Sequence, residues 1–262
     1  MSEWKKVKIG DFSVTAAESF RRLECSFAIQ VVKFLFEKRL VKNSVLGDFI
    51  EEIKTGKTPR KNEARHYEDK FISWFKPNEI GHKLYLEDSE NHLSKHAFDS
   101  KQVTVFKSKT LLINCIGDIG RMGILNKESS SNQQITGILF DERILPEYAF
   151  LYLLAYRSNF YEGILQTTLP IINQNKLKKL PFCCISIEEQ KKIIDFIFFL
   201  LNVKSKEEIG NYIIDDEIKN IARKFFLVSQ GKKNILKNSN FQQSHLTELR
   251  QQILQDAISG KL

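Results

Sequence analysis

Leu46-Gly47-Asp48-Phe49-Ile50-Glu51-Glu52-Ile53-Lys54-Thr55-Gly56-Lys57-Thr58-Pro59 is the stretch around which the chain is organised. Leu46, Phe49, Ile50 and Ile53 fall at i, i+3, i+4 and i+7, the spacing of one helix face, and predict a short amphipathic helical element. Thr55-Gly56-Lys57-Thr58-Pro59 then turns the chain. Gly56 is expected to use a positive φ there, and Pro59 cannot continue a helix. A polar, basic loop thus leaves a buried face. Downstream, Ile72-Ser73-Trp74-Phe75 is β-rich and ends at Lys76-Pro77.

On the N-terminal side, Thr15 and Glu18 have capping-box spacing. Phe20, Leu23, Phe27, Val31, Phe34 and Leu35 then mark an apolar helix face up to about Lys42. Ile9-Gly10-Asp11-Phe12 is echoed by Leu46-Gly47-Asp48-Phe49, and residues 27–39 are echoed more weakly by residues 218–230. Either the echoes arise by chance, or a recognition unit's start has been joined to the helix that precedes the next unit.

On the C-terminal side, short strands are predicted at Val103–Phe106, Thr110–Ile116, Ile135–Phe140 and Phe182–Ile185. Gly117–Gly123 reads as a tight hairpin-like loop and Ser129–Gln134 as a polar connection. Pro146 opens a helix expected to reach about Tyr161, and Leu169–Asn173 is extended. Ser186 and Glu189 form a second capping-box pattern and open a long helical tail. Ile193, Ile194, Ile197, Phe198 and Leu201 stripe its first part. After a basic break at residues 231–240, Leu246, Leu249, Ile253 and Ala257 return at spacings of three and four, with Gly260 as a stop. So narrow a stripe points to helix-on-helix pairing.

The chain has 262 residues, 42% hydrophobic and 27% charged, ordinary for a globular protein of one or two domains. A net charge of +8 and a pI near 9.2 fit an anionic partner, the alternative being a merely soluble basic protein. The charge is uneven: residues 54–109 carry 12 Lys/Arg against 8 Asp/Glu, residues 110–175 carry 4 against 6, and residues 176–262 carry 15 against 10. Cys25, Cys115, Cys183 and Cys184 form no C-x-x-C pair and read as buried thiols in a reducing compartment. No signal peptide is read at the N-terminus, and Ile193–Leu201 is too short to span a bilayer. A cytoplasmic location is expected.

These elements in this order resemble the target-recognition domain of specificity subunits from type I restriction–modification systems. The resemblance rests on residues 46–59 followed by 72–77, on Leu111-Leu112, Gly117-Asp118-Ile119-Gly120 and Asn132-Gln133, on Pro146–Tyr152, on Glu189-Gln190, and on the terminal Leu249–Leu262. It covers about residues 45–262. The chain departs from the family in carrying Cys183-Cys184 where a Pro-Pro pair is usual. It also has one full recognition domain and a short N-terminal helix in place of two of each.

The resemblance implies an α+β fold: a mixed α/β recognition domain at 46–185, a helical segment at 1–45 and a helical spacer and dimerisation region at 186–262. It implies a non-catalytic subunit that binds double-stranded DNA and docks adenine methyltransferase subunits and a motor–nuclease subunit, acting either as a half-subunit that pairs as a homodimer to read an interrupted palindrome or as a truncated subunit. Lys57, Thr58, Arg60, Lys61 and Lys76 are the phosphate-contact candidates, and Arg121 could read guanine. Asn132, Gln133 and Gln134 could read adenine or a phosphate, or could form an internal turn network. Gly56, Gly117 and Gly120 are expected to shape loops, and Trp74 to be core.

Catalytic readings fare poorly. Thr55-Gly56-Lys57-Thr58 ends like a phosphate-binding loop, but the motif's first Gly would fall at Glu51. His92 and His96 have i, i+4 spacing but no Glu follows the first His. Asp99 and Lys101 are a weak nuclease pair. No Gly-x-Gly follows a predicted strand, so no bound cofactor is expected. The competing reading is a helical scaffold or adaptor that does not touch DNA.

If Leu246, Leu249, Ile253 and Ala257 form an interaction face, Leu249→Asp with Ile253→Asp buries charge on it and weakens self-association or partner docking. Native mass measurement and partner pull-down check this, and unchanged results in both would count against it.

Overall fold

The computed structural model describes residues 44–60, 62–81, 83–162 and 169–202. The helix expected at 15–42, Ile9–Phe12 of the first sequence echo, both halves of the second, Cys25, Lys61 and the tail beyond residue 202 lie outside the described residues. So do Leu246, Leu249, Ile253 and Ala257.

The described chain runs through β1 (Ser44–Val45), β2 (Ile50–Thr55), β3 (Ile72–Phe75), β4 (Tyr85–Leu86), β5 (His92–Leu93), α1 (Lys95–Asp99), β6 (Val105–Phe106), β7 (Leu111–Asn114), β8 (Met122–Leu125), β9 (Ser129–Ser131) and β10 (Ile135–Phe140). Then follow α2 (Pro146–Ala155), α3 (Gln174–Lys178), β11 (Pro181–Phe182) and α4 (Ile187–Asn202). The strands form a five-stranded sheet ordered β2-β10-β7-β8-β4, a four-stranded sheet ordered β5-β3-β9-β6, and the pair β1-β11. Both larger sheets are mixed: β4 runs parallel to β8 and β3 parallel to β9, while the other pairings are antiparallel.

The opening stretch is not the helix its spacing predicts. Leu46–Phe49 forms a single 3₁₀ turn, and Ile50–Thr55 is strand β2. Leu46 and Phe49 are buried at i and i+3, which one such turn already satisfies. The β-branched Ile50, Ile53 and Thr55 then pair along β10, with Ile53 opposite Ile138 and Thr55 opposite Thr136. A register shift at Leu139/Phe140 lets six residues of β2 follow β10. Ladder hydrogen bonds and cross-strand packing override a helical periodicity only eight residues long.

Of the other expected strands, Ile135–Phe140 forms in full, those at Val103–Phe106 and Thr110–Ile116 are trimmed to Val105–Phe106 and Leu111–Asn114, and the one expected at Phe182–Ile185 is instead Pro181–Phe182. Ser129–Ser131 corrects the polar-connection reading: its serines are wholly buried between β3 and β6. Ser-rich segments lack an apolar signal, and here backbone pairing supplies the driving force. The helix from Pro146 stops at Ala155, with a 3₁₀ turn at Arg157–Tyr161. It is buried on nearly every side rather than on one face.

Between the larger sheets, Phe75, Ile80, Leu86, Phe106, Leu112, Leu125 and Ile135 form one apolar cluster. Gly137 in β10 makes room for it, since a Cβ there would lie 2.5 Å from the Phe106 ring. Ile72, Trp74, Leu93, Ala97 and Val103 form a second cluster.

The start of the described region is fastened to the segment that precedes α4. Ser44 pairs with Phe182 and Val45 with Pro181, and Leu46 N–H donates to Leu180 O at 2.9 Å. The Phe182 ring sits among Phe49, Phe140, Tyr148 and Tyr152, with centroids 5.7, 6.4, 6.0 and 4.8 Å away. Tyr148 Oη donates to Cys183 O at 2.7 Å, and burial pushes the Tyr148 phenol well above its ordinary range. The expected capping box at Ser186 and Glu189 opens α4, with Glu189 N–H on Ser186 Oγ and Ser186 N–H on Glu189 Oε2, both at 3.3 Å. Wholly buried Gln190 then donates to Arg143 O at 2.7 Å and Ile185 O at 2.9 Å, and accepts from Leu145 N–H at 2.8 Å.

Phe182→Ala empties the centre of this aromatic group and is expected to destabilise the fold by about 3–5 kcal/mol, measured by chemical denaturation. A loss under about 1 kcal/mol would show that the chain ends are held by something else.

Candidate nucleic acid interface

The registers bring the loops singled out in the sequence to one edge of the five-stranded sheet. Thr55 at the end of β2 faces Thr136 at the start of β10, and Ile135 faces Asn114 at the end of β7. Met122 at the start of β8 faces Ile113, and Gly81 N–H donates to Met122 O at 3.0 Å. Hence the loops after β2, before β10, between β7 and β8, and before β4 share an edge. The parallel strands β3 and β9 end beside it, with Asn132 N–H on Phe75 O at 3.1 Å.

The β2 exit loop is anchored at successive residues. Gly56 N–H donates to Ile135 O and Lys57 N–H to Ser131 O, each at 2.9 Å. Trp74 Nε1 donates to Lys57 O at 3.2 Å, Thr58 Oγ1 to Gln133 Oε1, and Tyr67 Oη to Pro59 O at 2.9 Å. Gly56 does not use positive φ, a correction to its expected role. It is required by close approach: a Cβ there would lie 2.1 Å from Asn132 O and 2.3 Å from Ser131 Oγ. Gly117 and Gly120 do use positive φ, +79° at each.

Lys57 and Arg60 are exposed. Lys57 Nζ donates to Lys101 O at 3.2 Å, and Arg60 lies 3.9 Å from Glu63. Lys76 is half-buried, with its ammonium 2.5 Å from Asn91 Oδ1 and 5.2 Å over the Trp74 ring. It clamps Trp74, which is core as expected. Arg121 Nε is 3.7 Å from Asp118 Oδ2. Asp118 also holds Arg157 Nη2 at 2.6 Å, and Arg157 donates to Ile119 O from Nε at 3.1 Å and from Nη2 at 3.0 Å. Arg157 thus fixes the Gly117–Gly120 loop from far along the chain, and no local pattern marks it.

Both readings of the Asn-Gln-Gln run apply, to different residues. Asn132 Nδ2 donates to Gln134 Oε1 at 3.0 Å and Gln134 N–H to Asn132 Oδ1 at 3.1 Å, an internal turn network. Gln133 between them is exposed. Beside it lie Ile171 and Gln174, which sequence reasoning passed over. Gln174 Nε2 donates to Thr55 Oγ1 at 2.9 Å, and Thr55 Oγ1 is 3.1 Å from Thr136 Oγ1. The extended Leu169–Asn173 run, which ends in the first of three consecutive amides, Asn173-Gln174-Asn175, was the signal available for them.

Other candidates separate. His92 lies in β5, 3.1 Å from Asp88, while His96 lies in α1 and stacks on His66 at 5.4 Å. Cys115 is buried, and that burial pushes its thiol's pKa up. No helix among the described residues is long and apolar enough to cross a membrane.

The sequence matches the family model of the type I restriction modification DNA specificity domain over residues 39–213. The chain belongs to that family. Its members are non-catalytic specificity subunits. Among its relatives is the MjaIX type I restriction enzyme specificity subunit of Methanocaldococcus jannaschii, 22% identical over 189 residues that span 71% of this chain and 44% of that one. The EcoR124I/EcoR124II specificity subunit of Escherichia coli is 26% identical over 155 residues, 54% of this chain and 36% of that one. The chain therefore spans less than half the length of either. The fold is similar to that of the HsdS subunit from Thermoanaerobacter tengcongensis, with a TM-score of 0.51 at 12% identity over 80% of this chain and 52% of that one.

Gly56→Ala and Gly117→Ala separate the two uses of glycine. The first drives a Cβ into backbone and is expected to cost about 3 kcal/mol. The second meets only Leu169 Cδ1 at 3.7 Å and pays for positive φ alone, about 1–2 kcal/mol. Denaturation midpoints with the order reversed would contradict this assignment.

Proposed function

We propose that the chain is the DNA-recognition component of a type I restriction–modification complex, binding one half-site through the loop edge of its five-stranded sheet. The observation that carries this reading is the convergence at that edge of exposed Lys57 and Arg60, ordered Arg121 and Arg157, and exposed Gln133. Family membership gives it direction. Lys57 and Arg60 contact phosphates, which position the protein without reading sequence. Residues 46–185 form the recognition domain. The helical regions before and after it dock adenine methyltransferase subunits, with a motor–nuclease subunit joining for cleavage. Two copies related by a two-fold axis read two half-sites at a fixed spacing.

Phosphate contact predicts a strong salt dependence. Lys57→Ala with Arg60→Ala is expected to weaken binding evenly across sequences and to flatten the slope of log K against log salt by about one per contact removed. Titration of labelled duplex at several salt concentrations checks this. A changed target sequence would show that these residues read bases, and no binding at any salt would favour a scaffold. Co-expression with the methyltransferase subunit, followed by mapping of methylated adenines, is expected to give an interrupted palindrome. An asymmetric bipartite site would mean a second, different specificity chain.

A further inference from the structure

The edge that presents Lys57 also holds a groove of about 440 Å³ between the Gln133 turn and the Ile171–Asn175 segment. Its chemistry differs from that of its surroundings. Among the described residues no Lys, Arg, Asp or Glu lines it. Its polar side chains are the carboxamides of Gln133, Asn173, Gln174 and Asn175 and the hydroxyls of Thr55 and Thr136, and Ile171 at its wall is 55% exposed. Gln174 spends one amide proton on Thr55 Oγ1, leaving a second proton and its Oε1 acceptor without a partner among the described residues. Gln133 accepts from Thr58 and keeps its amide donors.

These groups discriminate between base pairs. In the major groove guanine offers two acceptors, which a cation meets best, and no cation lines this groove. Adenine offers one acceptor and one donor side by side, which a single carboxamide matches with its N–H and its oxygen. The thymine opposite presents a methyl group that needs an apolar contact, and a half-exposed isoleucine next to the amide supplies one.

Resting on the DNA-recognition reading above, we infer that this groove reads an A·T pair in the major groove. Gln174 bonds the adenine edge, Ile171 packs on the thymine methyl, and Gln133 supplies a further donor. Gln174 and Ile171 are thus specificity-determining residues.

Selection of the full-length chain on a pool of randomised duplexes, followed by sequencing, tests this. The wild type is expected to enrich a motif. Gln174→Ala should lose preference at one A·T position and keep it elsewhere. Gln174→Glu, which keeps the side chain's length, should move that position towards C·G, because a carboxylate accepts from cytosine N4. Replacing the thymine there by uracil should weaken wild-type binding about fourfold, the worth of one methyl-sized apolar contact, and should leave Ile171→Ala unaffected. Variants that enrich the wild-type motif unaltered, or that lose enrichment evenly at every position, overturn the groove's role and leave DNA recognition standing. A wild-type chain that enriches no motif at low or moderate salt overturns both.

Discussion

The backbone at Gly56 lies so close to Ser131 and Asn132 that no side chain fits between them. The functional edge depends on this contact. Gly56 N–H on Ile135 O holds the loop leaving β2 to the start of β10, and Lys57 N–H on Ser131 O ties it to the end of β9 in the four-stranded sheet. Once the loop is pinned, Trp74 can reach Lys57 O, Thr58 can reach Gln133, and Tyr67 can reach Pro59 O. The backbone that carries Lys57 is held while its side chain remains exposed. A loop ordered before binding loses less conformational entropy when it meets a partner.

The opposite edge does the opposite job. Phe49 O, just before β2, accepts from Asp141 N–H just after β10 at 3.1 Å, and Arg143 reaches Asp48 O. Arg143 also lies 4.7 Å over the Phe49 ring, and its bonds to Asp141 hold that carboxyl below the usual range. The chain arrives there at Ser44, leaves at Phe182, and starts α4 where Gln190 bonds the backbone before α2. A six-residue strand separates this junction from the loop edge, about 20 Å. The described chain therefore begins, and passes into α4, at the edge away from the loops.

Much of this was legible in the sequence, and the failures have identifiable causes. The β-rich runs at Ile72–Phe75, Leu111–Asn114 and Ile135–Phe140 declared themselves because long-range pairing there agrees with local preference. Gly117 and Gly120 did so because positive φ is a local demand. Residues 46–53 misled because a 3₁₀ turn running into a strand reproduces helical spacing over two turns. Gly56 was singled out for the wrong reason, since its constraint comes from residues that only the fold brings beside it. Arg157 and Gln174 were invisible for the same cause. Each acts on a residue at least 38 positions away: Ile119 for Arg157 and Thr55 for Gln174.

Charge is divided along the chain in a way that suits the edge. Residues 54–109 are net basic and supply Lys57 and Arg60, while residues 110–175 are net acidic and supply Asp118, which orders Arg121 and Arg157. Ionic attraction acts at a distance but does not distinguish one phosphate from another. A carboxamide acts only at contact, where donor and acceptor order matters. On the proposed reading, a cation inside the amide groove would favour guanine wherever it could reach, so a groove lined by no charged residue suits discrimination by the amides. Placing the basic loop beside a neutral groove separates attraction from reading, and the anchored Gly56–Pro59 backbone sets the distance between the two.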